Sequence, residues 1–140
     1  MPVIDENGVR EDCGREWREP DALGEGDSLS VALANDADPA ALASDFPRLA
    51  LIAVEFPSFA DGRGFTLGQR LRAHGYRGRL RARGHVIADQ ARLARRCGFD
   101  EIEIEPALYA RQPWPMWRAG FDMMETPFRA RLSGRAAVAA

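Results

Sequence analysis

The chain has no lysine; all nineteen of its cationic side chains are arginine. That excludes a Walker A phosphate loop, whose Lys-Ser/Thr pair has no counterpart here. Only two cysteines are present, Cys13 and Cys97, too few to ligate an iron–sulfur cluster. Only two histidines are present, His74 and His85, on separate expected helices, so no metal site is expected. No apolar run approaches the roughly 20 residues of a membrane span. The first residues, MPVIDENGVRED, are acidic and polar, unlike a secretory signal or transit peptide. The two cysteines therefore read as reduced thiols. The expectation is a cytoplasmic protein without a membrane contact.

Charge is present in quantity but unevenly placed. Residues 1–58 carry 13 acids and 4 Arg, residues 59–98 carry 2 acids and 10 Arg, and residues 99–140 carry 6 acids and 5 Arg. A basic centre between acidic flanks either binds an anion or is neutralised within the fold. Nucleic acid is disfavoured: the whole chain is net −2, and no aromatic platform interleaves with the arginines.

The remaining pattern alternates strand and helix. Residues 1–27 read as an N-terminal arm or hairpin, turning at Asn7-Gly8. Residues 28–132 form the α/β domain, and residues 133–140 a frayed tail. Within the domain, SLSVAL (28–33) is a strand. Asp38 then caps a short helix over 39–45, with Pro39 at its first position. LALIAVEF (49–56) is almost continuously apolar, as a strand covered on both faces should be. Thr66 to Gln69 fits a capping box opening the next helix, which Gly75 closes. RGRLRAR (77–83) is a third strand with Arg79, Arg81 and Arg83 on one face. A helix follows over 86–97, then a fourth strand over 99–104, then a helix over 114–124. This order implies a mostly parallel sheet, either a half-barrel or an open doubly wound sheet.

In parallel α/β folds ligands bind at the carboxyl ends of the strands. That rule selects Glu55 and Asp61-Gly62-Arg63-Gly64 after the second strand, Arg83-Gly84-His85 after the third, and Glu103 and Glu105 after the fourth. Asp61-Gly-Arg63-Gly64-Phe-Thr66 precedes a helix N-terminus, whose amides favour an anion that Arg63 would clamp. It lacks the third Gly of a dinucleotide fingerprint. The plainer alternative is that Asp61 simply pairs with Arg63. Arg83-Gly84-His85 ends the third strand, with Asp89 four residues beyond His85. The catalytic candidates are thus His85, Asp89 and Asp61, the last pair competing with structural roles as helix-start residues. The anion-binding set is Arg63, Gly64, Thr66, Arg81 and Arg83, against the reading of the Arg stripe as a solvated edge face.

The stretches LALIAVEFPSFADGRGFTLGQRLR, GYRGRLRARGHVIADQ and RCGFDEIEI resemble a bacterial family, the DUF934 group, often described as probable oxidoreductases involved in sulfite reduction. The resemblance spans residues 49–104 and carries FxDGRGxT, RG-x-LRA-x-G, DQ and RCGFD. It implies a role beside assimilatory sulfite reductase. With too few cysteines for a cluster and no dinucleotide motif, the expected role is an accessory one. The protein would bind sulfite reductase or a small oxyanion and carry no redox cofactor of its own. The competing expectation is a small cytoplasmic enzyme acting on a phosphorylated or sulfur-oxyanion metabolite through Asp61, Arg63, His85 and Asp89.

Overall fold

The computed structural model describes residues 1–122. The expected tail at 133–140 and the last residues of the 28–132 domain lie outside them. Seven strands make one sheet: β1 (Pro2–Asp5), β2 (Gly8–Glu11), β3 (Trp17–Arg18), β4 (Leu29–Leu33), β5 (Leu49–Phe56), β6 (Arg79–Gly84) and β7 (Glu101–Glu103). The α-helices are α1 (Arg63–Ala73), α2 (Ala91–Arg96), α3 (Pro106–Arg111) and α4 (Trp114–Asp122). Short 3-10 helices cover Pro39–Arg48 and Ala88–Gln90. No helix is long and apolar enough to cross a membrane among the described residues.

The sheet order is β2-β1-β7-β6-β5-β4-β3. From β3 to β7 all pairings are parallel, and β1 joins β7 and β2 antiparallel. The parallel strands succeed one another in chain order without reversing, so the sheet is not doubly wound. Neither is it a closed barrel. Its two edges are nevertheless tied by a short link. Glu11 ends β2 and Trp17 begins β3, and six peptide steps span at most about 21 Å. On a flat sheet the same two strands would stand about 29 Å apart. The sheet must therefore curve around the face that residues 12–16 cross.

Period-two alternation divides the strands between two different faces. Val31, Leu33, Ile52, Val54, Phe56, Leu80, Ala82 and Ile102 belong to the hydrophobic core under the helices. Register places Arg81 beside Ala53 and Glu101, and Arg83 beside Glu55 and Glu103, on the opposite face. Strand β5 is apolar on both faces for most of its length because Leu51 and Ala53 are also buried.

On the core side, α1 approaches the sheet closely because two of its residues have no side chain. A Cβ at Gly64 would lie 2.5 Å from the Phe56 ring, and one at Gly68 would lie 2.5 Å from the Phe99 ring. Phe56, Phe65 and Phe99 form a triangle of tilted and edge-on rings there, with centroids 4.8–6.4 Å apart. Gly68→Ala must push Phe99 aside, and overpacking of this kind costs about 1–3 kcal/mol. Urea denaturation of the variant checks that value.

Several expected boundaries move. The first residues form the expected hairpin, β1 pairing antiparallel with β2 across the turn before Gly8, but they are not a peripheral arm: Val3 and Ile4 are fully buried and β1 pairs with β7. Pairing there satisfies the β7 edge, which a four-strand domain would leave open. Helix α1 starts at Arg63 rather than Thr66, because the Asp61 carboxylate accepts the Arg63 amide at 3.1 Å. The helix expected over 39–45 is a 3-10 helix that continues to Arg48. The Arg48 guanidinium fixes its last turn on Asp45 and on the Gly24 and Gly26 carbonyls. The helix expected from residue 86 begins instead as the 3-10 turn. Gln90 Oε1 accepts the Ile87 amide and Gln112 Oε1 accepts the Ala88 amide, replacing the helical pattern there. The helix expected over 114–124 is α4, which buries Trp117 and Phe121; Met124 lies outside the described residues.

Candidate functional site

Within the arginine stripe, Arg81 is neither open to an anion nor solvated. Arg81 is 1% exposed and meets three carboxylates: Glu101 at 2.6 Å, Glu103 at 2.6 Å and Asp12 at 2.8 Å. Glu101, equally buried, also accepts from Arg79 at 2.9 Å and Arg10 at 3.0 Å. Arg83 bridges Glu103 at 3.2 Å and Glu55 at 3.4 Å. Trp17 lies over Arg81 and Arg83, with guanidinium-to-ring distances of 5.7 and 5.0 Å. The strap formed by residues 12–16 thus closes over a charge ladder that runs across β2, β7, β6 and β5. Glu101 and Glu103 were missed as its other half. Their spacing, Glu-x-Glu on the strand next to Arg-x-Arg-x-Arg, was the signal.

Charge balance in this ladder sets the acid response. Arg15 lowers the Asp12 carboxyl, burial raises it, and Arg81 lowers it further, so it titrates below its usual range. Burial pushes Glu101 up, and Arg81 and Arg79 more than reverse that. Both groups then favour the folded state while ionised. Their contribution is complete above their unfolded values of 3.8 and 4.5 and is lost as pH falls through the lower folded values. Urea midpoints measured from about pH 6 down to about pH 3 should fall steepest below about 4.5, and Asp12→Asn should flatten that fall.

The Asp61 loop is closed on itself in the same way. Arg63 donates through Nη2 to Asp61 at 2.8 Å and through Nε at 3.1 Å, while Asn35 donates to the same carboxylate at 2.9 Å. The Arg63 hydrogen bonds hold Asp61 well below the usual carboxylate range. Its oxygen takes the place at the α1 N-terminus that a bound anion would occupy. Gly64 is buried against Phe56, and Thr66 is an exposed residue inside α1. The expected set of Arg63, Gly64, Thr66, Arg81 and Arg83 does not converge, because Gly64 faces the helix layer and Arg81 the opposite face.

What does converge is a cleft of about 450 Å³ at the carboxyl ends of β5, β6 and β7. Its wall includes Glu55, Phe59, Arg83, His85, Glu105 and Arg111. Of the loops chosen from the strand-end rule, Arg83-Gly84-His85 lines this cleft, whereas Asp61, Arg63, Gly64 and Thr66 do not; Phe59, just ahead of Asp61, does. Phe59 and His85 rings contact edge-on at 5.1 Å, and Gln90 donates to the Phe59 carbonyl at 3.2 Å. His85 Nδ1 lies 3.2 Å from the Phe56 carbonyl, which only accepts, so Nδ1 carries the proton. Nε2 has no partner among the described residues. No bond joins His85 to Asp89, which stands exposed one turn away. Burial raises the Glu55 carboxyl, an effect that Arg83 partly offsets. Gly84 makes the corner possible: its φ is +119° and a Cβ would lie 2.6 Å from the Phe56 carbonyl oxygen.

Glu105, which the strand-end reading selected, and Arg111, which it missed, bracket α3 on the cleft wall. Among the described residues, no cluster of three or more His, Cys, Asp or Glu is arranged to hold a metal ion. No curated protein and no solved structure matches the chain. The family described as bacterial protein of unknown function matches residues 30–113, from the middle of β4 to the end of the α3–α4 corner. That span holds β5, β6, β7 and every cleft residue named above, and the chain belongs to the DUF934 family.

Proposed function

We propose that this protein is a cytoplasmic accessory of assimilatory sulfite reduction that holds a small oxyanion group in the carboxyl-edge cleft and presents it to sulfite reductase. The family resemblance supports the pathway. The observation that supports a ligand is the cleft itself. A histidine with one nitrogen fixed on a backbone carbonyl and the other unengaged stands in one wall with Arg83 and Arg111. Arg111 has no ionic partner among the described residues, so its guanidinium is open to a bidentate oxyanion. The buried ladder keeps β6 and β7 rigid beneath it, so the strand ends that carry the cleft are fixed before any ligand arrives.

The test is calorimetric titration of the full chain with sulfite, sulfate and phosphate, together with a pull-down of sulfite reductase. Sulfite should bind, and Arg111→Ala should weaken it about tenfold, the value of one charge-assisted hydrogen bond pair. No binding of any oxyanion, with no capture of the reductase, overturns the reading.

A second reading is favoured by one observation. Glu55, its carboxyl held up by burial, shares the cleft with His85. A carboxyl that retains its proton longer than usual beside an imidazole is an acid–base pair in kind. On that reading the protein is a small enzyme acting on a phosphorylated or sulfur-oxyanion metabolite. Turnover lost in both Glu55→Gln and His85→Gln, with oxyanion binding retained, would select it.

A further inference from the structure

We propose that the ligand of the carboxyl-edge cleft is a small zwitterion, with an oxyanion at one end, an ammonium at the other and a short aliphatic spacer between. This rests on the reading of the cleft as a ligand site and narrows its ligand class. The oxyanion of that reading becomes one end of the molecule.

Two guanidiniums, Arg83 and Arg111, stand against two carboxylates, Glu55 and Glu105. The Met1 ammonium, also at the wall, is paired with Glu11 at 3.1 Å and adds nothing. A neutral lining attracts a simple anion only weakly, because the field of each arginine is partly countered by a carboxylate. A ligand carrying both signs meets a complement for each.

Two of those charges lack partners. The side chains of Glu105 and Arg111 make no hydrogen bond or ion pair with any described residue, although both residues line the cleft. They flank the same helix: Glu105 is the residue before Pro106, and Arg111 ends α3. Six residues at about 1.5 Å rise put their backbones about 9 Å apart, and no ion pair joins their side chains. Glu55 reaches Arg83 only at 3.4 Å, longer than a hydrogen bond, and keeps acceptor sites for an ammonium.

Ala107 and Leu108 of α3, together with Pro57 and Phe59, give the cleft apolar surface amid the charges. Leu108 is 7% exposed, and Phe59 is 42% exposed and steadied by His85. Aliphatic carbon fits that strip and a bare inorganic oxyanion does not use it.

The experiment is titration of the full chain with taurine, which carries a sulfonate and an ammonium, against ethanesulfonate, which lacks the ammonium, and against sulfite. Taurine should bind at least about tenfold more tightly than ethanesulfonate. Glu105→Gln and Glu55→Gln should each reduce that advantage, and Arg111→Ala should weaken both compounds. Circular dichroism confirms that each variant folds; Glu105 and Arg111 are exposed and unpartnered, so their replacement leaves the fold intact. If ethanesulfonate or sulfite binds as well as taurine, the zwitterion is wrong and the oxyanion reading stands. If none of the three binds, both fall.

Discussion

Glu101→Ala is expected to lower the free energy of unfolding by about 3–5 kcal/mol, the usual cost of removing one partner from a buried ion pair. The residue is 1% exposed and accepts from Arg10, Arg79 and Arg81. Arg10 and Arg79 lie partly in solvent and can turn outward. Arg81 cannot: its side chain is as buried as Glu101 and is held by Glu103 and Asp12 on its other nitrogens. Deleting Glu101 leaves its Nε without an acceptor in a place water does not reach. Glu101→Gln retains the shape and one acceptor oxygen and should cost less. Glu105→Ala, on an exposed unpartnered carboxylate, should stay within about 0.5 kcal/mol. Urea denaturation at neutral pH ranks the three. Equal stability of Glu101→Ala and Glu105→Ala would mean that the ladder does not hold the sheet.

Gly84→Ala should be the most damaging small change at the cleft, costing more than about 2 kcal/mol. Two penalties add. The residue has φ +119°, a conformation that side chains with a Cβ rarely adopt and that costs about 1–3 kcal/mol. The new methyl would also lie 2.6 Å from the Phe56 carbonyl oxygen, and a backbone atom inside a paired strand cannot step aside as a side-chain tip would. That same oxygen accepts from the His85 amide at 2.9 Å and faces its Nδ1. The substitution should therefore release the imidazole as well as destabilise the fold. Oxyanion affinity should fall in Gly84→Ala even under conditions where the variant remains folded. A Gly62→Ala control meets nothing within 4 Å and lacks the positive φ, so it should do neither.

The alternation of strands and helices was legible because each core strand carries its own punctuation. LALIAVEF reads as a doubly covered strand, and β5 occupies residues 49–56 with neighbours on both sides. Asp38 does cap the following turn, its Oδ1 accepting the Ala40 amide at 3.0 Å. Pairing across the sheet was less legible. The Arg stripe on β6 looked available because its complement, Glu101 and Glu103, stands twenty residues downstream on a strand whose register no local pattern fixes. Asp12 and Trp17 were still harder to place. They lie in a polar, glycine-rich stretch, and only sheet curvature brings that stretch over Arg81. Helix starts shifted where side chains bonded the backbone in place of the expected cap, as with Asp61 ahead of α1 and Gln112 at Ala88. At the cleft, the strand-end rule found Glu55, Arg83, His85 and Glu105. It could not find Arg111, which arrives from α3 through tertiary packing alone.

The central claim is that the carboxyl-edge cleft serves sulfite assimilation, and growth tests it most directly. A deletion strain is grown with sulfate, with sulfite or with cysteine as sole sulfur source, and is complemented with the wild-type chain or with Arg111→Ala. The account predicts that the deletion grows on cysteine but poorly on sulfate and sulfite, that the wild-type chain restores growth, and that Arg111→Ala restores it only in part while accumulating to the same level. Normal growth of the deletion strain on sulfate and sulfite would contradict it.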